Sequence, residues 1–182
     1  MPVYDHVPTI EYYPNPELTI RAIHERMNIR SILDVGAGHG GVFYFGFWDA
    51  KEMELREACD IYWMRPMNAR WAARVGVDVQ ELSKHYGDKS FDFVQCTEVL
   101  EHVPDPRKAL QELCKVARKL VFITSADEMH HRGEEQASIE KFNKHQAYIK
   151  QPSIEELLDL GFEVRVEHIE RRQIIAWKVL TP

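Results

Sequence analysis

A short apolar segment, Ile29 to Val35, runs straight into Gly36-Ala37-Gly38-His39-Gly40-Gly41. An apolar stretch of that length followed by glycines reads as a buried strand that ends in a tight loop. Glycine adopts the unusual backbone angles of such a turn and lets a ligand approach the main chain closely. In an open α/β sheet, ligands sit at the carboxyl ends of the strands. The tip of this first strand is therefore the first place to look for a site.

The rest of the chain alternates in the same manner. Asn15-Pro16-Glu17 reads as a helix start, Leu18, Ala22, Ile23 and Met27 recur at helical spacing, and Asn28 can end that helix. The aromatic run Phe43, Tyr44, Phe45, Phe47 and Trp48 belongs to a segment, 42–48, that begins a second helix. Strands are expected over Ala58–Tyr62, Gly76–Val79, Phe91–Cys96 and Leu120–Thr124. Helices are expected over Pro66–Val75 and from Asp105-Pro106 onward, where Ala109, Leu110, Leu113, Val116 and Ala117 share a face. Residues 126–151 are polar and show no clear period. Ser153 and Glu156 form a capping-box pair, and Gly161 closes that helix. Phe162–Ile169 and Gln173–Leu180 are two strands too close for a helical crossover, so they pair antiparallel. The expected fold is α/β: a Rossmann-like, doubly wound, seven-stranded, mostly parallel sheet that ends in an antiparallel hairpin. The 182 residues suit one domain, 1–182, around one core.

Charge narrows the partners. A net charge of −6 gives no general attraction to nucleic acid or to anionic membranes. Cys59, Cys96 and Cys114 form no C-x-x-C pair and read as free thiols in a reducing compartment. The first ten residues, with Asp5, His6 and two prolines, do not read as a signal peptide. No apolar run reaches the roughly 20 residues that span a bilayer. The expectation is a cytoplasmic enzyme or binding protein with no nucleic-acid or membrane partner.

The glycine loop fits two patterns. Gly36, Gly38 and Gly41 match the G-x-G-x-x-G fingerprint of dinucleotide-binding proteins. Asp34 with Gly36, Gly38 and Gly40 matches D-x-G-x-G-x-G. A diphosphate is an anion that wants bare amides, and an acid just before the loop repels it. A ligand with a cationic amino-acid tail has the opposite preference. A purely structural turn is the bland alternative.

The D-x-G-x-G-x-G pattern resembles the first motif of class I S-adenosylmethionine-dependent methyltransferases. The segment Ser90-Phe91-Asp92-Phe93-Val94-Gln95-Cys96-Thr97-Glu98-Val99-Leu100-Glu101-His102-Val103-Pro104-Asp105-Pro106 is similar to the "LEHV" block of the small-molecule members, including the quinone-biosynthesis branch. The resemblance runs from about Ser31 to Thr124 and resumes at Pro152–Leu158 and Gly161-Phe162. The usual glycine pair before the fifth strand is replaced by Arg118-Lys119 in what reads as a turn. The resemblance implies S-adenosylmethionine as cofactor, held by Asp34, Gly36, Ala37, Gly38 and Gly40. Asp60 and Ile61 follow at the second strand tip, where a carboxylate can accept both ribose hydroxyls. Glu54 and Glu57 are the alternatives to Asp60. Asp78 and Val79 resemble the segment that takes the adenine amino group, although Asp78 could equally be a cap or turn acid. By position, Cys96, Thr97 and Glu98 face the cofactor, and Glu101 and His102 the acceptor.

Methyl transfer is an in-line displacement on an activated donor, so the protein mainly places two reactants and excludes water. A base is needed only if the acceptor must lose a proton. His102 is the candidate catalytic residue, since imidazole titrates near neutral pH; the alternative is a histidine that merely starts a helix. His130, His131 and His145 could form a metal site, cover the acceptor or sit in a solvated loop. Tyr12 and Tyr13 could close over the cofactor or simply pack on the surface. No metal is assigned. The expected partner is a small-molecule methyl acceptor. A non-catalytic protein that binds S-adenosylmethionine, and an NAD-dependent oxidoreductase, are the competing readings.

Overall fold

The computed structural model describes residues 26–38, 53–62, 71–126, 150–168 and 172–180. Seven strands form one sheet: β1 (Ser31–Val35), β2 (Leu55–Asp60), β3 (Ala72–Val75), β4 (Phe91–Thr97), β5 (Ala117–Ala126), β6 (Glu163–His168) and β7 (Arg172–Val179). Their order across the sheet is β3-β2-β1-β4-β5-β7-β6. The first five are parallel neighbours, and β7 runs antiparallel to both β5 and β6. The expected mostly parallel sheet with a closing hairpin is what the chain forms. The order reverses between β1 and β4, and in open α/β sheets ligands sit at the carboxyl ends of the strands at such a switch point.

Sequence explains why β1 lies in the middle. Every residue of Ser31-Ile32-Leu33-Asp34-Val35 is buried, as a central parallel strand with both faces covered requires. The edge strand β3 is exposed throughout. Successive side chains alternate between the two faces. One face carries Leu33, Val35, Val94, Val121, Ile123 and Ala176, packed in one core cluster with Leu110, Leu113 and Val116 of helix α1 (Pro106–Val116). Each of these fully buried aliphatic side chains contributes roughly 1.5–3 kcal/mol. The other face carries Ile32, Ala58, Phe93, Phe122, Ile175 and Trp177.

The predicted boundary signals operate as expected. Arg26 and Met27 are helical, and Asn28 turns out of the helix at φ +48°. Asp105 caps α1 by accepting the Lys108 N–H at 3.0 Å, with Pro106 in the first turn. In helix α2 (Ile154–Asp159) the capping box is complete: Ser153 Oγ accepts from Glu156 N–H at 3.1 Å and Glu156 Oε2 accepts from Ser153 N–H at 2.9 Å. Gly161, at φ +77°, closes it with an N–H bond to the Leu158 carbonyl.

Several expectations need correction. The strand expected over Ala58–Tyr62 spans Leu55–Asp60, with Ile61 and Tyr62 beyond its end, and Ala117, expected on the helix face, begins β5. Ala72–Val75, read as the end of a helix, is strand β3, paired with β2 from Glu57–Ala72 to Asp60–Val75. Gly76–Val79, read as a strand, is instead the turn after β3, with Gly76 at φ +83°, that leads into a 3-10 segment over Val79–Lys84. Arg118 and Lys119 stand in β5, not in a turn, because Ala117 begins the strand directly after α1. Their charges reach the amino-end side of the sheet. The nearly buried Asp92 accepts from the Arg118 guanidinium at 2.9 Å, lies 3.3 Å from Lys119 Nζ, and takes the Arg30 N–H at 2.9 Å. The helix expected over 42–48 and the start at Asn15 lie outside the described residues.

Candidate functional site

The glycine loop leaves β1 and turns back over the tip of β2. Gly36 and Gly38 take φ values of +73° and +46°, which side chains other than glycine adopt at a cost. Gly36 has a second reason to be glycine: a Cβ there would lie 2.2 Å from Val99 Cγ2. The segment after β4 is thereby seated directly on the loop. The Gly36 and Ala37 N–H groups both donate to the Cys59 carbonyl, at 2.8 and 3.1 Å. The Gly38 N–H donates to Asp60 Oδ2 at 3.0 Å. Three successive loop amides are thus turned into the protein's own β2 strand and its terminal carboxylate.

Asp60 stands at the carboxyl end of β2, and its Oδ1 accepts the Tyr62 N–H at 3.0 Å. Two amides therefore fix the orientation of a carboxylate that has about four acceptor positions. Ile61 and Tyr62 follow it as exposed apolar surface, 42% and 53% exposed. Glu54 and Glu57 do not compete for this role. Glu54 lies before the start of β2 and pairs with Arg30, and Glu57 lies within the strand and pairs with Arg74.

Asp34 is buried at the end of β1, and its Oδ2 has no hydrogen-bond partner. Burial pushes its carboxyl up to about 7; the neighbouring Gln95 amide opposes that rise and the Asp60 charge adds to it. Two carboxylates at adjacent strand tips, one of them sealed from water, make this end of the sheet a place for a cation.

The remaining expected residues fall into three groups. Asp78 caps the 3-10 segment, its Oδ1 accepting the Gln80 N–H at 2.8 Å, and Val79 beside it is buried. This segment is tied to the site because the Gly76 and Val77 N–H groups donate to the Asp60 carbonyl. Thr97 ends β4 half-buried, whereas Cys96 is completely buried in the core, and burial pushes its thiol well up. Glu98 turns away from the β1 tip. In left-handed backbone, φ +55°, it accepts from Thr124 Oγ1 at 2.7 Å and Gln173 Nε2 at 2.6 Å. Glu101 is fully buried and accepts from Ser125 Oγ at 2.9 Å. His102 is half-buried in the short 3-10 turn Leu100–His102. Gly40, Tyr12, Tyr13, His130, His131 and His145 lie outside the described residues.

Sequence reasoning missed Gln95, Val99, Thr124, Ser125 and Gln173. Gln95 carried a signal: an amide in the middle of a buried strand needs a reason to be there. Val99 and the hydroxyls carried none, since their roles arise only from strand register.

A family model described as a methyltransferase domain matches residues 9–166. No curated protein matches the chain. Among solved structures, the CurJ carbon methyltransferase aligns at a TM-score of 0.66 and 13% identity, over 90% of this chain and 52% of that one. CalH, a methyltransferase in complex with SAH, aligns at 0.62 and 15%, over 89% and 55%. The magnesium protoporphyrin IX methyltransferase of Synechocystis PCC 6803, also with SAH, aligns at 0.55 and 16%, over 91% and 83%. At such identities the likeness is one of fold, and the chain spans about half the length of the first two.

Proposed function

The chain belongs to the methyltransferase domain family, and on that footing we propose that it binds S-adenosylmethionine at the tips of β1 and β2 and passes the methyl group to a small-molecule acceptor. The observation that carries this reading is the direction of the loop amides. Gly36, Ala37 and Gly38 donate into Cys59 and Asp60. A diphosphate site needs amides turned outward and no carboxylate at its mouth; here the amides face inward and two acids hold the strand tips. That arrangement favours a cationic amino-acid tail and a ribose over a dinucleotide.

When bound, S-adenosylmethionine supplies an electrophilic methyl on sulfur. The chain's own residues then bind, orient and shield. Asp60 accepts the ribose hydroxyls, and the exposed Ile61 offers an apolar surface to the adenine. Gly36 and Gly38 keep the loop low enough for close approach. Asp34 holds negative charge beneath the loop, which favours the ammonium group above it. Asp78 and Val79 mark the adenine side, Thr97 the acceptor side, and His102 is the group we assign to proton removal from an acceptor that needs it. One domain over 1–182 carries these roles. The acceptor, a small molecule in this reading, meets the cofactor beyond β4.

Calorimetry with S-adenosylmethionine, its demethylated product and NAD tests the proposal. The first two should bind, and Asp60→Ala should weaken both at least tenfold. Binding of NAD with neither sulfur compound would overturn it.

A further inference from the structure

Asp34 and Gln95 are register partners on adjacent parallel strands, so their side chains leave the same face of the sheet side by side. Both are buried, at 1% and 0% exposure. Asp34 Oδ2 and both amide atoms of Gln95 lack a hydrogen-bond partner. Three unpaired polar atoms in one patch are unusual, because each buried unpaired group costs about 1–3 kcal/mol. An apolar residue at 95 would avoid the penalty, and Phe93 occupies the same face two positions earlier. The fold retains an amide where packing alone argues against it.

We infer that Gln95 is a positioning residue for Asp34: its Nε2 donates to the Asp34 carboxylate in the cofactor-bound state, fixing both the charge and the orientation of that acid. This rests on the cofactor reading above. In the ligand-free chain the carboxyl is driven toward its protonated form by burial, against Gln95, with Asp60 at the β2 tip adding to the drive. Among the described residues, the Cys59 and Cys96 thiols also feel the Asp34 charge; both are pushed up by burial and add no charge at neutral pH. A cation arriving above the loop reverses the balance. Asp34 then releases its proton to solvent, and the carboxylate gains a ready donor in Gln95. In the free protein the Gln95 amide lies close enough to oppose the rise in the Asp34 carboxyl but meets no partner at hydrogen-bond geometry; in the complex it does.

The test uses the full chain and S-adenosylhomocysteine, titrated calorimetrically from pH 6 to pH 9 in buffers of different ionisation enthalpy. The unmodified chain should bind more tightly as pH rises through about 7, with proton release. Gln95→Met, a near-isostere without polar atoms, should weaken binding about tenfold at pH 9 as well as at pH 6, because the bond it removes is made to the ionised carboxylate in the complex. Gln95→Leu should act alike. Both ligand-free variants should melt at higher temperature than the parent, since an unpaired amide has gone. Affinity unchanged by both substitutions at pH 9, in a parent that binds well, would overturn this inference alone. A lower melting temperature in both variants would also overturn it, because the amide would then be satisfied in the free fold. If the parent binds no S-adenosylhomocysteine at any pH, the cofactor reading itself fails and takes this inference with it.

Discussion

Asp34 and Gly36 stand two positions apart and meet opposite demands: one holds a charge where charge is costly, the other keeps a side chain out. Asp34 has a folded-state pKa near 7 against 3.8 as its ordinary value, with burial the main cause. The folded chain therefore binds more protons than the unfolded chain between those limits, and Asp34 lowers stability as pH rises through that window. Asp34→Asn has no such penalty. Its stability advantage over the parent should grow by roughly 2–3 kcal/mol from pH 5 to pH 8, measured by denaturant unfolding; a gap that stays constant would contradict this account. Gly36→Ala should cost about 2–4 kcal/mol, from a left-handed backbone and a methyl forced on Val99. Adding Val99→Ala should return part of that loss, the steric part, and a strictly additive double mutant would count against the contact. At this scale Asp34 is legible from the glycine motif and Asp60 from the family resemblance at the second strand tip, and the two lie at adjacent strand ends. Gln95 was not, because its meaning depends on which strand lies beside β4.

Elements show a similar division. Capping residues act locally, so Ser153, Glu156 and Gly161 could be read directly from their neighbours. Ser153→Ala should destabilise the chain by about 1 kcal/mol in chemical unfolding, and no change would mean that the capping box adds nothing to α2. The segment through Trp71-Ala72-Ala73-Arg74 was misread for a tertiary reason. Its alanines and arginine favour a helix, yet pairing with β2 makes it an edge strand. The same holds for Arg118 and Lys119, where the family's glycine pair gives way to two cations. They reach Asp92 and, through Lys119 Nζ, the Asn28 carbonyl at 2.9 Å. Asp92→Asn should therefore lower stability more than an ordinary surface change, since two cations lose one buried partner.

The whole molecule places chemistry by topology. The strand order reverses beside β1, so the carboxyl ends of β1, β2 and β4 lie side by side at the switch point where ligands of open α/β sheets sit. The sheet and its hairpin could be anticipated because strand-and-helix alternation and one short connection determine them. The surroundings of Glu98 and Glu101 could not, because these residues bond to β5 and β7 partners that are remote in sequence. Among the described residues no helix is long and apolar enough to cross a membrane. The central claim is that the tips of β1 and β2 hold a cationic nucleoside and not a diphosphate. A crystal structure of the chain with S-adenosylhomocysteine tests it most directly. The account requires the ribose hydroxyls on Asp60 and the amino-acid tail over Gly36–Gly38, above Asp34. Ligand bound elsewhere, with those strand tips covered by side chains, would contradict it.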